Sequence, residues 1–405
     1  MLAFILAVAA AVLACLGIVH TVVGWWLADR FIANQRIEPR QRPPITILKP
    51  LYGDEPLLAE ALATFCRLAY PSFQLLFGVS SETDSAVPVV QALRARFPGV
   101  DIDVVVDATQ HGPNRKVGNL INMLPYAKYD VLVISDSDVH APPDLLDRLV
   151  EALWRPSVGL ATVLYAALPA WQTLICRMGA MQITHIFLPG VLLARRMGRR
   201  DNLGATMALR RSELIRIGGF QALVNHLADD AVLGRRIQDL GLHVVLADTL
   251  VLTTVPENSL GALVRHELRW ARTIRALEPS GFAASILQYS LFWALIAILL
   301  TGSLWSFGVF GLVWVVRMAT TVGLDGAIER RLRREGESSD TEIGPATVTP
   351  VWLLPVRDLL SVAVMLASFV SRRVDWRGHD LIADTPPPSV RSDAGSRPIE
   401  GTKTP

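Results

Sequence analysis

The sequence predicts a doubly wound α/β domain of Rossmann-like type, held between apolar transmembrane helices at its N- and C-terminal ends. Three observations predict it. Between residues 45 and 135, short β-branched runs alternate with helical patterns at the spacing of βαβ units. Apolar stretches long enough to cross a bilayer stand on either side of that alternation. An Asp-x-Asp pair, Asp136 and Asp138, sits where one buried strand runs out into a polar turn. Composition agrees with a mixed chain. With 51% hydrophobic residues among 405 and a mean hydropathy of +0.36, it is too apolar for an ordinary soluble enzyme and too mixed for a pure helical bundle.

In chain order, residues 1–28 form an almost unbroken apolar run ended by Asp29-Arg30, and read as a transmembrane helix. The run lacks a basic n-region and a small-residue cleavage site, which argues against a signal peptide. Residues 29–280 form the large domain. Ile45–Leu48 is a strand, Glu55–Cys66 a helix, Gln74–Val79 a strand and Ala86–Arg96 a helix. Ile102–Val106 is a third strand, Lys116–Leu124 a helix, and Tyr129–Ser135 the strand that leads to the aspartates. The alternation implies a parallel sheet, with a nucleotide site along the strand carboxyl ends. Residues 171–194, apolar and interrupted by Pro189-Gly190, read as an interfacial helix and turn, and 260–275 as a second interfacial segment. Asp229 and Asp230 open a helix that runs to Leu240.

Residues 281–375 form a membrane region with spans at about 282–302, 304–324 and 351–371. The last carries Arg357 and Asp358, so it either packs those charges against protein or lies partly at the interface. Residues 376–405, rich in Pro, Ser and Asp, read as a disordered tail. Arg30, Arg36, Arg40 and Arg42 follow the first span, and Arg330, Arg331, Arg333 and Arg334 follow the third. The positive-inside rule then puts the large domain in the cytoplasm of a multi-pass protein. Three scattered cysteines offer neither a disulfide framework nor zinc spacing. A net charge of +2, with no concentrated basic face in the large domain, argues against nucleic acid as a partner.

Residues two apart on a strand share a face, so both carboxylates of Asp136 and Asp138 can point into the crevice beyond the strand end. Oxygen donors of that kind suit Mg²⁺ or Mn²⁺ carrying a diphosphate. Asp138 is the choice for direct ligand, with Asp136 nearer the ribose or bridging through water.

Motifs in sequence order make the reading specific. Ile47-Leu48-Lys49-Pro50-Leu51-Tyr52-Gly53, Tyr70-Pro71, Asn114-Arg115-Lys116-Val117-Gly118-Asn119-Leu120 and Asp136-Ser137-Asp138 come first. Gly218-Gly219-Phe220, Ala228-Asp229-Asp230, Arg269-Trp270 and Val374-Asp375-Trp376-Arg377-Gly378 follow. Together they resemble the ceramide glucosyltransferase family, glycosyltransferase family 21, and within it the bacterial hopanoid-associated glycosyltransferases. His266 departs from the Gln or Arg expected four residues before Trp270.

The resemblance implies a GT-A fold and an inverting hexosyltransferase in a bacterial inner membrane, with a UDP-sugar donor and a membrane lipid acceptor. It implies Asp230 as general base, Arg269 on the departing pyrophosphate and Trp270 against sugar or lipid. Pro50, Lys116 and Asp136 would contact the nucleotide, and either Glu82 or Asp84 would face the uracil. The bacterial branch implies N-acetylglucosamine transfer to bacteriohopanetetrol. Glucose transfer to ceramide is the alternative, followed by a processive polysaccharide synthase or an inactive scaffold.

Overall fold

The computed structural model describes residues 1–33, 39–336, 349–371, 373–376 and 379–382. Most of the tail assigned to residues 376–405 lies outside them, as do Arg36 and Arg377-Gly378.

Four strands, β1 (Ile45–Pro50), β2 (Phe73–Val79), β3 (Asp101–Val106) and β4 (Val131–Ser135), form a parallel half-sheet in the order β3-β2-β1-β4. Helices α1 (Leu2–Ile32), α2 (Leu58–Cys66), α3 (Ala86–Arg96) and α4 (Arg115–Met123) precede or connect these strands. Both faces of the half-sheet are covered, which is why its central strands are buried almost throughout and mostly apolar instead of alternating. Ile47, Leu75 and Val133 pack into one core, while Leu48, Leu76 and Ile134 pack into the other. Helix α2 begins at Leu58, three residues later than the helical pattern starts, because Leu57 takes a left-handed φ of 61° that helix interiors exclude.

Beyond β4 the sheet departs from the parallel expectation. It continues through β5 (Val139–His140), α5 (Leu145–Leu153), β6 (Val158–Pro169), α6 (Leu174–Arg196), β7 (Thr206–Arg210), α7 (Asp229–Asp239) and β8 (His243–Val255). The eight-stranded order is β3-β2-β1-β4-β7-β6-β8-β5. Strand β7 enters antiparallel between β4 and β6, and β5 pairs antiparallel with β8. The cause is the α6 excursion, which returns the chain to the carboxyl end of β4, so that Thr206 pairs with Ser135. The turn after β4 therefore faces the loop before β7, and the Asp136 amide donates to the Ala205 carbonyl at 3.0 Å.

Among the described residues four helices are long and apolar enough to cross a membrane: Leu2–Ile32, Leu174–Arg196, Leu304–Arg334 and Val351–Ser368. Where the sequence suggests one span over 282–302, the chain instead forms two helices, Pro279–Gln288 and Ser290–Thr301, bent by 64° at Tyr289. With α8 (Leu260–Leu277), α9 (Ser290–Thr301), α10 (Leu304–Gly336) and α11 (Leu354–Ser368), α1 completes a bundle against the domain. The buried positions of α1 form a stripe of small residues, Ala7, Ala10, Ala14, Gly17, Gly24 and Ala28. Small side chains let helix backbones approach closely. A Cβ on Gly17 would lie 2.7 Å from Ser290, and one on Gly24 would lie 2.8 Å from Pro189.

Arg357 and Asp358 do not pair with each other. Both are wholly buried, and each finds an opposite charge on another helix. Arg357 grips Glu267 of α8 through two bonds of 2.7 Å, and Asp358 takes Arg317 of α10 at 3.0 Å and the Leu291 amide at 3.1 Å. The charges pack against protein, the first of the two arrangements open in the sequence.

Candidate active site

The carboxyl end of β1 buries a lysine. Lys49 Nζ lies 3.7 Å from the centre of the Phe65 ring, donates to the Asp136 carbonyl at 2.6 Å and lies 3.3 Å from Ser135 Oγ. Burial pulls its pKa down to about 7, against the opposing fields of Asp138, Asp136 and Glu55. Pro50 closes the strand, paired in register with Gly78. The loop that follows is fixed to the end of β2, because Asp84 Oδ1 accepts from the Gly53 amide at 3.0 Å and the Ala86 amide at 2.9 Å. Asp84 thus spends one oxygen on backbone, while Glu82 stays exposed at the cleft edge.

The turn after β4 presents the acidic pair. Asp136 Oδ1 meets Lys116 Nζ at 2.5 Å. Asp138 Oδ2 accepts from the Thr253 hydroxyl of β8 at 2.6 Å, which fixes its rotamer. Asp138 keeps an opening to the cleft, yet desolvation first, and the Asp136 charge second, push its pKa up to about 6. These carboxylates are hard oxygen donors of the kind Mg²⁺ and Mn²⁺ take, and such ions usually keep substrate phosphates in their shell. Among the described residues no three His, Cys, Asp or Glu side chains converge into a cage. The donor set fits a cation that shares its coordination with a diphosphate.

Helix α4 supplies the basic partner. Asn114 caps it, its side-chain oxygen accepting from the Val117 amide at 3.0 Å. The same side chain donates to Asp229 Oδ1 at 3.1 Å and to the His226 carbonyl at 2.8 Å, which binds α4 to the start of α7. Lys116 stands between the two acidic groups, 2.5 Å from Asp136 and 4.0 Å from Asp229. Desolvation disfavours its charge, but Asp136 and Asp229 outweigh that and raise its pKa, so it stays an ammonium.

Asp229 and Asp230 form the first turn of α7, and the cap position itself is Ala228, with no side-chain bond. Neither aspartate is therefore the helix cap. Asp229 is engaged by Asn114 and Lys116. Asp230 takes only the Ala231 amide, at 2.8 Å, and burial followed by the Asp229 charge raises its pKa to about 6. Gly204 makes room for it: a Cβ there would lie 2.8 Å from Asp230 Oδ2.

Tyr165 of β6 lies within the fields of Asp230, Asp136 and Asp138, which with burial raise its pKa. Its ring stacks on Phe187 at 4.8 Å, and Phe187 stands 6.3 Å from Trp270. This aromatic ladder joins the aspartates to α8. Trp270 also meets His266 edge-on at 4.9 Å, and His266 pairs with Glu257. Arg269 exerts its charge on Glu257, whose pKa falls because, against desolvation, the His266 hydrogen bond and the Arg269 charge favour the carboxylate. The structure thus brings Lys116, Asp136, Asp138, Asp229 and Asp230 together and places Arg269 beside Glu257.

Sequence reading missed Asn114 as a link, Thr253, Gly204 and Tyr165. It placed the Lys49-Pro50 pair at a strand end without giving Lys49 a role. A charged residue inside an apolar strand was the available signal for Lys49. The others become visible only when β6, β7 and β8 close on the acidic turn.

The profile of "Glycosyl transferase family 21" matches residues 5–386. Ceramide glucosyltransferase 3 of Caenorhabditis elegans is 22% identical over 386 residues, which cover 90% of this chain and 78% of that protein. Ceramide glucosyltransferase 1 of the same organism is 24% identical over 281 residues, covering 67% of this chain and only 58% of the relative. Among solved structures, a mannosyltransferase from Pyrobaculum calidifontis in complex with GDP-Man and Mn²⁺ aligns with a TM-score of 0.50 and 18% identity, covering 90% of this chain and 99% of that one. That likeness shows a shared GT-A fold. A profile that runs almost from end to end, over a GT-A sheet whose strand ends gather these acids, places the chain in glycosyltransferase family 21.

Proposed function

We propose that the protein is a membrane-anchored, inverting glycosyltransferase that moves a hexose from a UDP-sugar to a lipid hydroxyl. The observation that carries this reading is the division of labour in the acidic cluster. Asp136 pairs with Lys116 at 2.5 Å and Asp229 approaches the same ammonium at 4.0 Å, whereas among the described residues Asp230 has no cationic partner within bonding distance and has a pKa of about 6, as a general base requires.

Asp230 accepts the proton of the acceptor hydroxyl as that oxygen attacks the anomeric carbon. The bond from that carbon to the UDP oxygen breaks, and UDP leaves with the electron pair. One attack from the face opposite the leaving group inverts the centre, so an α-linked donor gives a β-glycoside. Lys116 is placed to hold the diphosphate, and Asp136 and Asp138 would hold Mg²⁺ or Mn²⁺. A bound cation supplies charge neutralisation on the departing diphosphate. In this reading Pro50 and the loop fixed by Asp84 border the nucleotide, Glu82 faces the uracil side, Arg269 turns to the pyrophosphate and Trp270 lines the sugar or lipid path.

Two donor and acceptor pairs are supported by different observations. The Ala- and Arg-rich composition favours UDP-N-acetylglucosamine with bacteriohopanetetrol in a bacterial inner membrane. The named relatives are ceramide glucosyltransferases, which favours UDP-glucose with ceramide. Purified protein given each donor with each lipid, followed by product masses, decides between them. Transfer is expected to need a divalent cation and to vanish in Asp138→Ala. Near wild-type turnover by that variant without added cation would overturn the role of Asp138, and transfer to no lipid would overturn the function.

A further inference from the structure

Lysines are almost never fully buried unless something pairs them. Lys49 has no exposed surface, and it ends a mostly apolar strand, directly after Ile47 and Leu48. The partners it finds are a carbonyl, a hydroxyl and the face of Phe65. Sealed from the cleft, its amine cannot touch a donor or an acceptor. Any part it takes in the reaction passes through what it holds.

What it holds is the acidic turn after β4, and each residue of that turn is pinned from a different element. The Asp136 amide reaches Ala205 before β7 at 3.0 Å, and the Ser137 hydroxyl donates to Glu55, in the loop after β1, at 2.5 Å. Asp138 takes the Thr253 hydroxyl of β8. Lys49 supplies the anchor from β1. It reaches two consecutive residues, the Asp136 carbonyl at 2.6 Å and Ser135 Oγ at 3.3 Å, and the latter also bonds the Thr206 hydroxyl of β7 at 2.9 Å. The Val139 amide approaches the same carbonyl at a longer 3.4 Å. Charged or neutral, an amine carries N–H groups, so the grip does not depend on protonation.

The two lysines of the site meet Asp136 from opposite sides. Lys116, with 20% of its side chain exposed, takes the carboxylate from the open side, where a diphosphate can compete for it. Lys49 takes the main chain from the sheet side, where no ligand reaches. A carboxylate that gives up Lys116 therefore still hangs from a fixed backbone.

We propose that Lys49 is a positioning residue for the divalent cation, which by fixing the Asp136 carbonyl keeps the Asp136 and Asp138 carboxylates pre-set for Mg²⁺ or Mn²⁺ before a donor arrives. This rests on the reading above in which those two aspartates take the cation. Groups that orient metal ligands from behind typically govern metal affinity nearly as strongly as the ligands do.

The test uses the full chain in detergent and measures UDP binding by calorimetry, with and without Mn²⁺. Lys49→Met keeps an apolar stem beside Phe65 and removes the N–H groups, while Lys49→Gln keeps an N–H one bond shorter. Wild type is expected to bind UDP more tightly with Mn²⁺ than without it. Lys49→Met is expected to weaken binding in Mn²⁺ on the order of tenfold, and Lys49→Gln by less. Metal-free UDP binding, and the KM for the lipid at saturating donor and cation, are expected to stay put. General loosening would instead weaken both UDP measurements alike and lower the thermal midpoint. Full Mn²⁺-dependent affinity in Lys49→Met, or equal losses with and without the ion, would overturn the proposal. If Lys49→Met fails to fold, Lys49→Gln decides by the same comparison. A wild-type UDP affinity indifferent to Mn²⁺ would overturn the metal reading itself, and the proposal with it.

Discussion

Asp230 shows how one residue is separated from its neighbours. Its partner Asp229 is tied down by Asn114 and Lys116, so the two acids of one motif have different environments. Asp230→Asn keeps the shape and the Ala231 bond but cannot accept a proton. The expected loss in kcat is on the order of 10²-fold or more with UDP-sugar binding retained, measured by turnover and by donor titration. A pH profile gives an independent reading. The raised pKa means that Asp230 holds its proton below about pH 6 and is an available base above it, so kcat should fall as pH drops through about 6. A profile flat from pH 5 to 8 would return Asp230 to a structural role. The acids and Lys116 were legible because each sits in a short motif at a strand or helix end. Tyr165 was not, since it stands inside the apolar run Val158–Pro169, where nothing marks it as polar-facing.

At the scale of elements, the parallel half-sheet was legible because its strands and helices alternate in short blocks. The mixed half, where β6 and β8 run parallel and β7 and β5 antiparallel to their neighbours, was not. Strands β6 and β8 are long and mostly buried, and β7 is five residues between a glycine-bearing loop and a charged turn. Which strand lies beside which depends on where α6 returns the chain, and no local pattern encodes that. The bent 279–301 segment was hidden for a similar reason, since composition records length in lipid and not direction. The Arg357–Glu267 pair belongs to this scale as well, for it fastens α11 to the helix that bears Arg269 and Trp270. Arg357→Leu leaves Glu267 buried without its cation, and such losses cost about 3–5 kcal/mol. The thermal midpoint in detergent should drop by several degrees, with the KM for donor and acceptor shifting as α8 loosens. An unchanged midpoint would mean the pair is not holding α8.

The whole molecule is proposed to keep its catalytic face in the cytoplasm, where UDP-sugars are made. Cysteines placed singly at Arg40 and Arg333, both beside the domain, and at the exposed Leu304, which opens α10, test this after Cys15, Cys66 and Cys176 are removed. Position 304 should react with an impermeant thiol reagent in intact cells, and positions 40 and 333 should be protected until the cells are opened. Labelling of position 40 from outside would overturn the orientation.

The small-residue stripe of α1 also has a consequence for how the chain is made. Its contacts at Gly17 lie on Leu287 and Ser290, while the helix itself leaves the ribosome first. About 260 residues separate Ile32 from Ser290, a delay of roughly 13–50 s at usual synthesis rates. Through the last part of that interval the C-terminal half of α1 has Pro189 to meet while its N-terminal half stays unclasped, and the last third of the chain is what locks that half in place. A nonsense codon before Ser290 would thus remove more than the distal helices. It would leave the N-terminal half of the first one without the surface it was shaped to meet, and a quality-control protease would find the damage at the end opposite the lesion.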